Sequence, residues 1–264
     1  MTQNSGRALV TGASSGIGRQ IALALAKRGY DLVLDGRDGT RLGHTAALCR
    51  ESGHQVVALT HDLLRPDSVP ELVAACNLGG RLDLLVNNAG LGMSGRIPDL
   101  REDLIEALFR LNVLVPLSLI RQLHPLLQAS SGTIVNVSSV VGIVPLPFSG
   151  VYSATKFAVT AFSRTLRAEV RQDGIRVITL YPGGTDTAFI QNRLANEQPD
   201  LERLPKIPSV PAERVAQALM RALDGNRQEV FVTTSDAILA TLARIFPKLA
   251  DRATSSVARR IDHH

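Results

Sequence analysis

The 264-residue sequence has no tryptophan and only three tyrosines and seven phenylalanines. With aromatic residues at 4% it lacks the stacking platforms on which single-stranded nucleic acids are held. Its two cysteines, Cys49 and Cys76, stand far apart and form neither a C-x-x-C pair nor a metal-ligand spacing. This excludes a disulfide framework and points to a reducing, intracellular compartment. The six histidines make no H-E-x-x-H or similar cluster, so no metal centre is expected. No apolar run reaches the roughly 18 residues of a membrane-spanning helix. The opening MTQNSGRALVTG carries no apolar signal core, and a cytoplasmic protein is expected. Charge of one sign is also scarce: the net +5 comes from arginines scattered along the chain, which is no nucleic-acid footprint. There is no low-complexity linker and no internal repeat.

Apolar sequence is plentiful. At 45% hydrophobic and 20% charged residues the chain can bury a large core, and its length suits one α/β domain. Short apolar runs begin at Arg7 (RALVTG), Asp31 (DLVLDG), Val56 (VVALTHD), Leu82 (LDLLVNNAG), Thr133 (TIVNVSS), Ile175 (IRVITLYPG) and Glu229 (EVFVT). Segments of helical length and periodicity lie between them. Apolar runs without alternation belong to strands buried on both faces, hence to a parallel sheet covered by helices. The pattern predicts a single doubly wound α/β domain over residues 1–264, with seven parallel strands and a core over about 7–233. The polar, proline-rich stretch 187–211 breaks the rhythm and is expected to form a substrate loop. Residues 235–264 are expected to form a helical tail.

TGASSGIG, Thr11 to Gly18, follows the first strand and opens the first helix. Gly12, Gly16 and Gly18, with Ser14, Ser15 and Ile17 between them, suit a tight turn whose backbone approaches a pyrophosphate at a helix N-terminus. This is a Rossmann-type signal. NNAG, Asn87 to Gly90, ends the fourth strand, where small residues and side-chain amides can tie the sheet edge to the glycine turn. Further on, Tyr152 and Lys156 in VYSATKF lie one helical turn apart on one face. A phenol has a pKa of about 10, and a neighbouring ammonium favours its ionisation.

On these motifs the sequence resembles the short-chain dehydrogenase/reductase family, over essentially Arg7 to Val232. The resemblance implies a nicotinamide dinucleotide cofactor and places Asp62 at the adenine, with Asn88, Ala89 and Gly90 beside the cofactor. Ser139, thirteen residues before Tyr152, matches the family's serine, in preference to Ser138. Asn112 matches its fourth catalytic position. In this scheme Tyr152 is the acid–base group, Ser139 holds the substrate oxygen, Lys156 also holds the nicotinamide ribose, and Asn112 supports a proton-relaying water. Pro182, Gly183, Thr185 and Thr187 of YPGGTDT correspond to the segment beside the nicotinamide. The position that discriminates between cofactors falls on Gly36, which has no carboxylate, and Arg37 follows it, which favours NADP(H) over NAD(H). Asp35 and Asp38 flank the site.

Ile143, Val144, Leu146 and Phe148 border the serine–tyrosine segment, Leu91 and Met93 follow NNAG, and Phe189 and Ile190 begin the substrate loop. A pocket lined by them suits a lipophilic alcohol, ketone or aldehyde. In the tail, Ile238, Leu242, Ile245 and Leu249 fall near helical spacing, with Arg244, Lys248, Arg252, Arg259 and Arg260 elsewhere, and Pro247 should divide the helix. This tail would cover the substrate loop or a neighbouring subunit, with contact to a membrane surface as the alternative. The resemblance also implies a homodimer or homotetramer. The expected function is NADP(H)-dependent interconversion of an alcohol and a carbonyl. Reduction of a β-ketoacyl thioester, and a non-catalytic nucleotide-binding regulator or scaffold, are the alternatives.

Overall fold

The computed structural model describes residues 6–187, 189, 194 and 208–262. Ile190, most of the 187–211 loop and the side chains of Arg259 and Arg260 lie outside the described residues. Each of the apolar runs forms a strand: β1 Arg7–Val10, β2 Asp31–Gly36, β3 Val56–Thr60, β4 Leu84–Asn87, β5 Thr133–Val137 and β6 Arg176–Tyr181. Two short strands not anticipated from the sequence follow, β7 Gly184–Asp186 and β8 Ser209–Pro211, and pair in parallel with each other. The run at Glu229 supplies β9, Glu229–Phe231. The main sheet is seven-stranded in the order β3-β2-β1-β4-β5-β6-β9, with every pairing parallel.

Successive strand residues feed two cores. Ala8 and Val10 of β1 join a cluster with helices α1 (Gly16–Lys27), α2 (Gly39–Arg50) and α7 (Ala212–Asp224). Leu9 between them joins the opposite cluster, with α3 (Ser68–Asn77), α5 (Val115–Ala129) and α6 (Gly150–Glu169). Burial on both faces is the reason these strands read as unbroken apolar runs. The chain leaves β1 toward β2 on one side and returns to β4 on the other, so a crevice opens at the strands' carboxyl ends, where α/β sheets bind ligands.

The long segment before β5 is not one regular helix. α4 (Glu102–Phe109) passes through a π-helical turn, Arg110–Leu114, into α5, with the Val115 amide reaching the Arg110 carbonyl. Pro116 has no N–H, and in a regular helix that N–H would have met the carbonyl of Asn112. The tail forms α8 (Thr234–Ile245) and α9 (Pro247–Asp262), divided at Pro247. Among the described residues no helix is long and apolar enough to cross a membrane, and no group of three or more His, Cys, Asp or Glu is arranged to hold a metal ion.

Candidate active site

The glycine turn is held open by its neighbours. Gly12 and Gly16 have φ of 67° and 53°, values that side chains with a Cβ resist. A Cβ on Gly18 would lie 2.2 Å from the Gly12 carbonyl oxygen and 2.4 Å from Asn88 Nδ2, so the cradle is one that any side chain there would fill. Asn88 Nδ2 donates to the Thr11 carbonyl at 2.9 Å, and the Thr11 hydroxyl accepts from the amides of Asn88 and Ala89 at 3.0 Å. NNAG therefore braces the turn against β4. Helix α1 begins at this turn with no acidic residue in its first turn, which leaves its positive end for an anion. These features fit the pyrophosphate of a dinucleotide.

At the end of β2 a Cβ on Gly36 would sit 3.0 Å from that of Ser14, so the strand end and the turn are in close contact. Asp38 is committed to its own helix: its carboxylate accepts from the Arg41 amide at 3.0 Å as the cap of α2 and pairs with Arg41 Nε at 3.2 Å. Asp62 accepts from the Leu64 amide at 3.1 Å. Asp35, which flanks the discriminating position, meets His61, which no motif marks. Asp35 is 1% exposed and lies 3.4 Å from His61 Nδ1, while His61 Nε2 lies 2.8 Å from Glu71. Burial pushes the Asp35 carboxyl up to about 7, opposed by His61 and by a hydrogen bond from the Gly12 amide. The parallel pairing of Gly36 with Thr60 brings the residues together, so only the sheet order could have revealed them.

The other end of the cleft gathers Ser139, Tyr152 and Lys156. Ser139 caps the short 3-10 turn Val140–Gly142, accepting from the Val141 amide at 3.3 Å, and its hydroxyl donates to the Pro182 carbonyl at 3.2 Å. Ser138 is spent on structure, bonded to the Lys156 carbonyl at 2.9 Å and to the Thr160 hydroxyl at 3.0 Å. Tyr152 is half-buried in the first turn of α6, and its ring packs against Phe189 at 5.8 Å. Burial raises its pKa above the ordinary phenol value, and a hydrogen bond with Ser139 works in the opposite sense. Lys156 is 5% exposed, donates to the Val137 carbonyl at 2.9 Å, and is lowered by burial to about 8.

Asn112 does not reach the cleft. Its side chain accepts from the Leu91 amide at 2.9 Å and donates to the Leu91 carbonyl at 2.9 Å and to Thr155 Oγ1 at 3.0 Å. It thus ties the segment after NNAG to α6, directly behind Gly90. All the other residues named from the sequence as catalytic or cofactor-binding line one cleft of about 880 Å³.

Of the expected apolar lining, Leu91, Val144, Leu146 and Phe189 border this cleft. Met93 does not, because it packs at 2% exposure into a separate small core with Leu108 and Val151. Ile143 and Phe148 also stand off the cleft. The Phe148 backbone turns at φ 59° and its carbonyl is bonded to the Gly95 amide at 2.8 Å. Helix α8 enters the site instead: Asp236 lies so close over Gly183 that a Cβ there would be 2.6 Å from its carboxylate, and Leu239 adds an apolar wall. No motif in the tail signals this. Across the cleft, Thr187 packs its methyl group near Gly16.

Residues 7–198 match the short chain dehydrogenase family. Estradiol 17-beta-dehydrogenase 11 of Rattus norvegicus is 32% identical over 259 residues, 96% of this chain and 83% of that protein. A short-chain dehydrogenase from Sphingobium yanoikuyae, solved in complex with NADPH, superposes with a TM-score of 0.80 at 32% identity, covering 94% of this chain and 93% of the other. A short chain dehydrogenase/reductase from Burkholderia phymatum, in complex with NAD, gives a TM-score of 0.84 at 26% identity, covering 94% and 96%.

Proposed function

The chain belongs to the short-chain dehydrogenase family and is thereby an NAD(P)-dependent oxidoreductase, and we propose that it interconverts a lipophilic alcohol and its ketone or aldehyde with NADP(H). The observation that carries this reading is Ser139 and Tyr152 opening together on one cleft, with Lys156 buried behind them and anchored on the Val137 carbonyl.

Gly12, Ser14, Ser15, Gly16, Ile17 and Gly18 hold the pyrophosphate in this reading, with Asp62 at the adenine and Asn88, Ala89 and Gly90 along the inner wall. Pro182, Gly183, Thr185 and Thr187 border the nicotinamide, which supplies or accepts the hydride when bound. In the reducing direction Tyr152 gives its proton to the substrate oxygen, and in the oxidising direction it takes one. Burial keeps the free phenol neutral, which is the proton-donating form. Ser139, turning its hydroxyl from the Pro182 carbonyl, donates to the same oxygen and fixes it beside Tyr152. The Lys156 ammonium stabilises the phenolate left after proton transfer. Asn112 is a positioning residue that holds Leu91 and, through Thr155, the turn of α6 carrying Tyr152; the Thr155 hydroxyl donates to the Tyr152 carbonyl at 2.8 Å.

The preference for NADP(H) rests on Gly36, on Arg37 at the cleft wall, and on an Asp38 already engaged by Arg41. The solved relatives hold NADPH in one case and NAD in the other, so the preference is argued from these residues. Leu91, Val144, Leu146, Phe189 and Leu239 favour a lipophilic substrate, in keeping with a relative named for a steroid alcohol. Leu114 at the end of the π turn, Leu117 on α5 and Phe157 on α6 are 54%, 39% and 40% exposed, and they suit helix pairing in a homodimer or homotetramer.

The test is oxidation of NADPH and NADH over ketones and aldehydes of graded chain length, with acyl thioesters alongside. Turnover rising with the length of an uncharged ketone or aldehyde, and faster with NADPH, is the expected result. Activity confined to acyl thioesters, or to NADH, would overturn the substrate or the cofactor assignment respectively.

A further inference from the structure

The adenosine end of the cleft holds a buried acid–base pair that the proposed chemistry does not use. Asp35 Oδ1 and His61 Nδ1 face each other at 3.4 Å, and neither atom has a hydrogen-bond partner. Both residues line the cleft beside Gly36 and Arg37. We propose that the Asp35–His61 pair is a specificity-determining element that sets how strongly the site prefers a dinucleotide bearing a 2′-phosphate, through the charge it places under the ribose. The inference deepens the NADP(H) reading and rests on it.

The neighbouring charges are accounted for. On the chain after β2, Arg37 borders the cleft and Asp38 is paired with Arg41 of α2. From α3, Glu71 meets the outer nitrogen of His61 at 2.8 Å, but its side chain is 61% exposed and largely screened by water. Asp62, after β3, turns its carboxylate to the Leu64 amide. From the glycine turn, the Gly12 amide favours the ionised form of the Asp35 carboxyl. What remains is one buried carboxylate facing one imidazole, in surroundings where charge is weakly screened.

Ionised and unneutralised, Asp35 repels a 2′-phosphate; carrying or sharing a proton with His61, it does not. Burial raises the Asp35 carboxyl to about 7, so the pair gains negative charge as pH rises through neutrality. Preference for the 2′-phosphate must then weaken with rising pH. The phosphate's own ionisation acts on every variant alike and cancels in a comparison of variants.

The experiment is calorimetric titration of the intact protein with NADP+ and NAD+ from about pH 6 to about pH 8.5, on the wild type, Asp35→Asn and His61→Gln. Relative to Asp35→Asn, the wild type should lose about tenfold of its affinity ratio for NADP+ over NAD+ across this range. In His61→Gln, Asp35 lacks the group that favours its ionised form, so the loss should move to higher pH. Parallel profiles for wild type and Asp35→Asn overturn this inference and leave the NADP(H) reading standing. A preference for NAD+ at every pH in all three proteins overturns both. Should Asp35→Asn fail to fold, the His61→Gln profile decides: a loss unmoved from the wild-type pH rejects the pair.

Discussion

Lys156 Nζ lies 5.8 Å from the centre of the Tyr152 ring and is anchored on the Val137 carbonyl at 2.9 Å. The four-residue spacing on α6 thus brings ammonium and phenol together, while the hydrogen bond of the ammonium goes to the end of β5. The ammonium stands over the Tyr152 ring, and Ser139 and Tyr152 open together on the cleft.

Replacing Tyr152 by Phe removes the proton donor and little of the packing against Phe189. The expected loss in kcat/KM is about 10²- to 10⁴-fold, the range of general acid–base catalysis. Calorimetric binding of NADP+ should stay near the wild-type value. An unchanged turnover rate would remove Tyr152 from the mechanism.

Burial lowers Lys156 to about 8, and its charged form is the one that stabilises phenolate. Carbonyl reduction should therefore be level below that pH and fall above it, as Lys156 loses its proton. The limb belongs in kcat/KM, which reports ionisations of the free enzyme. Lys156→Met should lose that limb together with about 10²-fold or more of the rate. A limb that persists in Lys156→Met belongs to another group.

Much of this site was legible because its parts are local. A glycine turn between strand and helix, NNAG at a strand end, and a tyrosine and lysine one turn apart all declare themselves over a few residues. The seven main strands were legible because burial on both faces makes each an apolar run. What stayed hidden depends on tertiary neighbours. Asp35 meets His61 only because β2 pairs with β3, and Asp236 reaches Gly183 only because the tail folds back over the cleft. An apolar residue after NNAG fits a pocket wall and a small core equally well, and Met93 takes the core. The π turn was hidden too, although Pro116, four residues after Asn112, is its sequence trace.

Arg37 is exposed at the cleft wall, next to a Gly36 that offers no carboxylate. Arg37→Ala should weaken NADP+ binding by about tenfold or more, the scale of a hydrogen bond to a charged group. Binding of NAD+, which lacks the phosphate, should change little. Equal losses for both nucleotides would mean that Arg37 holds a part common to them.

Asp35 also carries a stability signature. Its carboxyl is raised from 3.8 to about 7 in the folded protein, so the native state holds a proton that the unfolded chain releases earlier. The associated stability is present below about pH 4 and is lost as pH rises to about 7. Urea midpoints of the wild type should therefore fall relative to those of Asp35→Asn across that window, and run parallel above it. A constant difference across the window would show that Asp35 ionises as readily in the folded protein as in the unfolded chain.

Two glycine-to-alanine changes separate the cradle from the scaffold. At Gly18 the new methyl would lie 2.2 Å from the Gly12 carbonyl oxygen, a backbone atom that cannot swing aside. Relief requires the glycine turn to move off the Asn88 side chain, which bonds both Thr11 and Gly12. Gly18→Ala should lose nucleotide binding and cost about 1–3 kcal/mol, the usual penalty of overpacking. At Gly43, inside α2, an added methyl meets nothing within 4 Å. Alanine there loses less backbone freedom on folding than glycine, so Gly43→Ala should stabilise by about 0.5–1 kcal/mol and leave binding intact. Thermal melts with calorimetry read both outcomes. Intact dinucleotide binding in Gly18→Ala would show that the cofactor does not depend on the close approach of α1 to Gly12.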